Sequence, residues 1–360
     1  MSERRRSNFI IRADGNARIA SGHLRRTLSI AAQLLRLGCQ VSYVLSDAES
    51  ETMLLSQMTD AGIGPDKIRR YVLGVSYGNP GRELSKLTDI LRQSGAEALL
   101  TDSYAVDGAY FHALRAAGDW YLAYIDDLSR FDPAADLVVN YDPLPDPARY
   151  RAAGKTLLGP AFAPLREQFM DLKPEIRPEV GRILITTGGT DPFGMAGRTA
   201  ELIREDPVLS ETGTGGRTPD LCILAPGYGR TADMAGAMQS CDLAVSAGGT
   251  TLYELCAAGV PTAAFSMSED QTLFAGAMGR ISAVLYAGDV RTGRDAVLEK
   301  IRAFLRRRIR DASLRREESE RMHGITDGRG AVRIAEALVG DGGVCDSGEN
   351  PAGRGGRIWR

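Results

Sequence analysis

The chain has 360 residues, 43% of them apolar and 25% charged, with 44 Lys and Arg against 46 Asp and Glu for a formal charge of -2. That length exceeds one ordinary core and fits two domains, and no uninterrupted apolar run reaches the ~18 residues that span a bilayer. The balanced charge offers no basic field for nucleic acid, and the start "MSERRRSNFII" lacks the apolar region and cleavage site of a secretory signal, so a cytoplasmic protein without a membrane span is expected.

Strand-length apolar runs alternate with helical periodicity through the first half. "NFIIRAD" (8–14) reads as a strand, the segment from Gly22 to Gly38 as an amphipathic helix, "CQVSYVLSD" (39–47) as a strand, Glu49 to Ala61 as a helix and "IRRYVLG" as a strand. A helix ending near Gly95 follows, then "ALLTDSY" (98–104), a helix over "GAYFHALRAAG", and the strands "WYLAYIDD" (120–127) and "DLVVNYD" (136–142). This rhythm implies an α/β class with a mostly parallel sheet covered on both faces and ligands at the carboxyl ends of its strands. Prolines then gather between Pro143 and Pro178, as in an interdomain connection.

The second half starts afresh. "GRILITTGGTDPFGMAGRTAELI" and "CDLAVSAGGTTLYELCAAGVP" each read strand, glycine turn, helix, with further strands in "DLCILAPGYG" and "TAAFSM" and a helix pair from about Gly293 to Leu338. The expected organisation is a doubly wound Rossmann-like domain over 1–155, a linker over 156–180, a second such domain over 181–339 and a disordered, Gly-rich tail over 340–360.

In "SAGGTT" the residues Gly248, Gly249, Thr250 and Thr251 lead from a strand into a helix, where free amides, closely approachable over glycine, suit a diphosphate. Glu254, one turn on, can accept from ribose hydroxyls, or it can simply favour the helix start. "TTGGTD", with Gly188, Gly189 and Thr190, repeats the arrangement, and two such turns at one sheet edge face one cleft. Neither turn is a P-loop.

The first strand ends at Asp14, and the next helix opens on Gly22-His23. A helix N-terminus favours the neutral imidazole, and a carboxylate, Asp14 or another, on its second nitrogen would fix the tautomer that a general base needs. An imidazole beside a cap can equally satisfy a backbone group. His112 reads as a half-buried structural residue, and His323 lies in a charged segment. The cysteines Cys39, Cys222, Cys241, Cys256 and Cys345 show no metal-ligand spacing, so reduced thiols and no metal are expected.

Gly22-His23-x-x-Arg26 after Arg-x-Asp, "TDSY" (101–104), "IDD" (125–127), Asn140, "GPAFAPLREQF" (159–169), "TTGGTD", and "SAGGTTLYELCAAGVP" with Asp270-Gln271 together resemble the PseG-like nucleotide-sugar hydrolases of pseudaminic acid biosynthesis. The resemblance covers about residues 8 to 335 in family order. It implies a GT-B fold, shared with the UDP-GlcNAc transferase of peptidoglycan synthesis, in which two Rossmann-like domains face each other across a cleft. It further implies that water attacks the anomeric carbon of a UDP-sugar with inversion, UDP leaving and no cofactor taking part.

By position, the resemblance makes His23 the base, sets Gly22 and Arg26 of the same turn against substrate, sets Gly249, Thr250 and Glu254 against diphosphate and ribose, sets Asp270 and Gln271 against sugar or phosphates, and leaves Asp14, Tyr104 and Arg166 lining the cleft. One departure stands out. Between "ILAPGYG" and "ADMAGAMQSCD" the chain lacks roughly a helix and a strand that help form the base pocket in GT-B enzymes. The same fold carries glycosyltransferases, in which an alcohol replaces water, and the shortened pocket also suits a non-catalytic nucleotide-sugar-binding protein.

Overall fold

The computed structural model describes residues 7–16, 19, 21–210 and 217–342. Of the tail expected over 340–360, residues 340–342 are helical instead, and the rest from 343 onward, with Cys345, lies outside the described residues.

The first half runs β1 (Asn8–Ala13), α1 (Gly22–Arg36), β2 (Gln40–Leu45), α2 (Ala48–Asp60), β3 (Ile68–Val72), α3 (Pro80–Ser94), β4 (Ala98–Asp102), α4 (Gly108–Ala117), β5 (Tyr121–Ile125), β6 (Leu137–Asn140) and β7 (Lys155–Leu158). Its seven strands form one sheet in the order β3-β2-β1-β4-β5-β6-β7, with every neighbouring pair parallel. Central strands such as β4 are buried along their whole length, as expected where helices cover both faces. Local chemistry sets the helix starts. The carboxylates of Asp47 and Asp107 accept from the backbone N–H of Ser50 and Tyr110 at 2.7 and 3.0 Å, opening α2 and α4.

The second half runs β8 (Arg182–Thr186), α5 (Met195–Glu205), α6 (Pro207–Ser210), β9 (Asp220–Leu224), α7 (Met234–Gln239), β10 (Leu243–Ala247), α8 (Thr251–Ala258), β11 (Thr262–Ser266), α9 (Glu269–Arg280), β12 (Leu285–Asp289), α10 (Val290–Ile309), α11 (Ala312–His323) and α12 (Gly330–Gly342). Its sheet is also wholly parallel, in the order β12-β11-β10-β8-β9. The chain passes from edge strand β9 directly to α7, so the missing helix and strand noted in the sequence leave β9 uncovered on its outer side.

Two strands and four helices, α6, α7, α9 and one of the last three, go beyond the sequence expectation. β7 and β12 are short edge strands, and β7 opens on the exposed Lys155 and Thr156, which hides any apolar run. The expected helix pair is three helices. Asp311 caps α11 by accepting from Leu314 N–H at 2.9 Å, and α12 begins at Gly330 and returns to pack on α1. Ile334, Ala335 and Leu338 of α12 are buried in the same apolar cluster as Leu28, Ala31 and Leu34 of α1.

Each sheet has a switch point where connections leave in opposite directions, the place where doubly wound folds open a ligand crevice. In the first sheet it lies at the ends of β1 and β4, where Ala13 pairs with Asp102. In the second it lies at the ends of β8 and β10, where Thr186 pairs with Ser246, so the two glycine turns are neighbours.

Candidate active site

His23 is the second residue of α1 and is 3% exposed. Its Nδ1 lies 2.6 Å from Oδ1 of Asp102, the last residue of β4. A carboxylate has no proton to give, so toward Asp102 the Nδ1–H donates and, in the neutral tautomer, the lone pair sits on Nε2; Arg26 Nη2, itself only a donor, also lies 3.0 Å from Nδ1. Among the described residues nothing hydrogen-bonds to Nε2. Tyr104 meets the imidazole edge-on, with centroids 4.3 Å apart, and is itself 38% exposed, so it forms the outer cover of the ring.

Asp102 is fully buried. Burial alone would raise its carboxyl, but Arg26 and then His23 outweigh that and bring it down to about 2. Arg26 Nε donates to Asp102 Oδ2 at 2.6 Å, and Nη2 donates to Oδ1. The other arm, Nη1, donates to Asp127 Oδ2 and to the Tyr141 hydroxyl, both at 2.6 Å. Tyr104 O–H reaches the same Asp127 oxygen at 3.0 Å.

This arrangement corrects two sequence expectations. Asp14 is not the partner of His23: it accepts from Arg12 at 2.5 Å and from the Ser46 N–H and hydroxyl at 2.6 and 2.7 Å. Arg12 also forks onto Glu83 at 2.9 and 2.7 Å, so Asp14 belongs to a buried charge network behind the loop that leads to His23. Arg26, expected to bind substrate, spends its donors on Asp102, Asp127 and Tyr141. His112 is exposed on α4 rather than half-buried.

In the second lobe the glycines divide their work. A Cβ on Gly248 would meet Ala275 Cβ at 2.7 Å and the Gln271 carbonyl at 3.0 Å, whereas Gly249 and Gly189 face open space. The Gly248 and Gly249 amides, expected to be free, already donate to Phe265 and Ala247 carbonyls at 2.7 and 2.9 Å. The amides of Thr250 and Thr251, at the positive end of α8, have no partner among the described residues. The earlier turn differs in kind. Asp191 accepts from Met195 and Ala196 N–H at 2.8 and 3.0 Å, so the start of α5 already carries its anion, and this turn presents only Gly188, at φ 74°, Gly189 and Thr190.

Glu254 Oε1 accepts from Arg166 Nη2 at 2.9 Å, bridging the connecting segment to α8, and Arg166 Nε is buried without a partner. Gln271 turns inward, its Oε1 accepting from Met267 N–H at 2.9 Å. Asp270 is exposed on the first turn of α9, away from these bonds. Gly22 opens α1 in open space, and a Cβ there would meet no atom within 4 Å.

Sequence reasoning missed Asp102, Asp127, Tyr141 and Asp142. The first two lie in the "TDSY" and "IDD" motifs, and an acidic residue at the end of an apolar-rich strand was the available signal. Asp142, two residues beyond β6, is pushed up to about 7 by burial and by Asp127 and Asp126, against the pull of Arg26. Among the described residues no group of three or more His, Cys, Asp or Glu could hold a metal ion, and no helix is long and apolar enough to cross a membrane.

No family model matches the chain. The spore coat polysaccharide biosynthesis protein SpsG of Bacillus subtilis is 28% identical over 202 residues, which cover 52% of this chain and 57% of that protein. Among solved structures, MurG of Acinetobacter baumannii aligns with a TM-score of 0.63 at 18% identity, over 92% of this chain and 99% of its own. The Streptomyces sp. SF2575 glycosyltransferase SsfS6, complexed with thymidine diphosphate, aligns with a TM-score of 0.51 at 14% identity, over 92% and 99%. The two-lobed arrangement is thus the GT-B fold.

Proposed function

We propose that this chain is a nucleotide-sugar hydrolase that releases UDP from a deoxyamino UDP-sugar by attack of water at the anomeric carbon, with His23 as the general base. The observation that carries this reading is the Asp102–His23 pair at 2.6 Å, which leaves Nε2 as an unengaged acceptor at the switch point of the first sheet. The likeness to SpsG and to a glycosyltransferase that holds thymidine diphosphate supports a nucleotide-sugar substrate.

In the proposed step, the water oxygen bonds to the anomeric carbon as its proton passes to His23 Nε2. The bond from that carbon to the phosphate oxygen breaks on the opposite face, and UDP leaves with the electron pair. Inversion follows from that geometry. A positioned base contributes about 10²–10⁴-fold in such a step. The leaving charge falls at the start of α8, where the Thr250 and Thr251 amides and the helix dipole receive it. Glu254 Oε2, unlike Oε1, is left for ribose hydroxyls, with Arg166 fixing the carboxylate in place. Asp270, exposed on the first turn of α9, meets the sugar or phosphates in this reading, and Gln271, whose Oε1 is held by Met267 N–H, offers them its amide nitrogen only.

The test is incubation with a panel of UDP-, CDP- and dTDP-sugars in the absence of any acceptor. Release of nucleoside diphosphate by the wild type, reduced about 10²-fold or more in His23→Ala with UDP affinity kept, is the expected result. Release that requires an added alcohol would replace hydrolysis by glycosyl transfer.

A further inference from the structure

Tyr253 is the third residue of α8, between the Thr250 and Thr251 amides and Glu254, yet its side chain leaves its own lobe. Its hydroxyl donates to the backbone carbonyl of Tyr141, which follows β6 of the first sheet. The ring is fully buried and packs edge-on against Tyr141, with centroids 6.0 Å apart, and against Phe274 of α9, at 5.2 Å. A buried tyrosine hydroxyl needs a partner, and this one finds it across the seam between the lobes.

The path continues without a gap. Tyr141 offers its own hydroxyl to Arg26 Nη1 at 2.6 Å, and the guanidinium carbon lies 5.7 Å from the centre of the same ring. Arg26 clamps both oxygens of Asp102, and Asp102 holds His23. Each link is a hydrogen-bonded contact, doubled between Arg26 and Asp102, and every member except the partly exposed rim of Arg26 is removed from water, where a hydrogen bond is worth most and a misplaced one costs most.

We infer that Tyr253 and Tyr141 are positioning residues that transmit the occupancy of the α8 turn by a nucleoside diphosphate to the orientation of the His23 imidazole. The inference rests on the proposed reading of that turn as the diphosphate seat. A diphosphate held by the Thr250 and Thr251 amides fixes the first turn of α8, on which Tyr253 stands. Through the Tyr141 backbone it then fixes the acceptor that completes the ligation of Arg26. The base is therefore aligned when substrate fills the opposite lobe and is less tightly held when it does not. Coupling of this kind is a claim about two sites and needs a direct readout at one while the other is filled.

That readout is the imidazole resonance of His23 in protein labelled at histidine, assigned among the three histidines by its loss in His23→Gln. UDP is the probe. In the wild type, saturating UDP is expected to shift the His23 signal while His112 stays still. Tyr253→Phe, which keeps the ring and removes only the hydroxyl, is expected to bind UDP within about twofold of wild type while the His23 shift falls by at least about half. Tyr141→Phe, which spares the backbone carbonyl and removes the acceptor for Arg26, is expected to do the same, and the double variant to lose no more than either alone. Equal His23 shifts in wild type and Tyr253→Phe overturn the inference. UDP that binds without moving His23 in the wild type overturns it as well. Failure of UDP to bind the wild type is a different result, because it removes the diphosphate reading of the turn itself and the inference with it.

Discussion

Arg26 Nη1 and Asp127 Oδ2 meet at 2.6 Å although one residue stands on the second turn of α1 and the other just beyond β5. The same guanidinium holds Asp102, so one cation bridges two carboxylates brought together by two strands. Removing one partner of a buried ion network costs about 3–5 kcal/mol, because the remaining charges stay buried. Arg26→Ala is expected to lower the unfolding free energy by that order in urea titrations. Arg26→Lys should recover only part of it, since an ammonium cannot fork across two carboxylates. An unchanged urea midpoint in Arg26→Ala would contradict this account of the cluster.

Acid titration reads the same cluster from Asp102. Its carboxyl is held at about 2 in the fold against an ordinary 3.8, so between those values the unfolded chain binds more protons. The stabilisation is complete above about pH 4 and is lost as pH falls through about 2. Asp102→Asn should therefore show a flatter stability profile than wild type across that window. Parallel profiles would mean that Asp102 titrates alike in both states.

Asp142 carries the opposite sign. Burial and the charges of Asp127 and Asp126 push it up to about 7 despite Arg26, and across the seam it adds to the burial that raises the Tyr253 hydroxyl. The folded state then binds more protons than the unfolded one between about pH 4 and pH 7, so stability falls as pH rises through that range. Asp142→Asn is expected to raise the melting temperature relative to wild type at about pH 8 and to change it little near pH 4. A melting temperature raised equally at both pH values would remove ionisation as the cause.

The two glycines of the α8 turn separate folding from binding. Gly248→Ala places a methyl against Ala275 Cβ at 2.7 Å and the Phe265 carbonyl at 3.2 Å, and such overpacking costs about 1–3 kcal/mol. Gly249→Ala meets open space, so its stability should stay within about 0.5 kcal/mol of wild type while UDP affinity falls. Calorimetric titration with UDP beside thermal melts checks both. Undiminished UDP affinity in Gly249→Ala would place the diphosphate elsewhere.

The parts legible in the sequence were those encoded within a few residues. The strand and helix rhythm, both glycine turns and the placing of His23 at a helix start follow from local patterns, and the parallel pairing of β8 with β10 set the two turns side by side as expected. The partner of His23 was not legible, because Asp102 lies 79 residues away and only the β1–β4 pairing delivers it. Asp14 misled for the converse reason. It is near His23 in sequence, but Arg12 and Ser46 claim its carboxylate first. Arg26 looked like a substrate ligand until burial and three acceptors showed where its donors go. The amides of Gly248 and Gly249 looked free because a sequence does not reveal which carbonyls a turn folds back upon.

The most direct test of His23-assisted water attack is turnover of a UDP-sugar in ¹⁸O water, followed by mass spectrometry of both products. The account predicts label on the anomeric oxygen of the released sugar, none in UDP, and loss of that release in His23→Ala. Label in the phosphate of UDP would place the attack at phosphorus and contradict it.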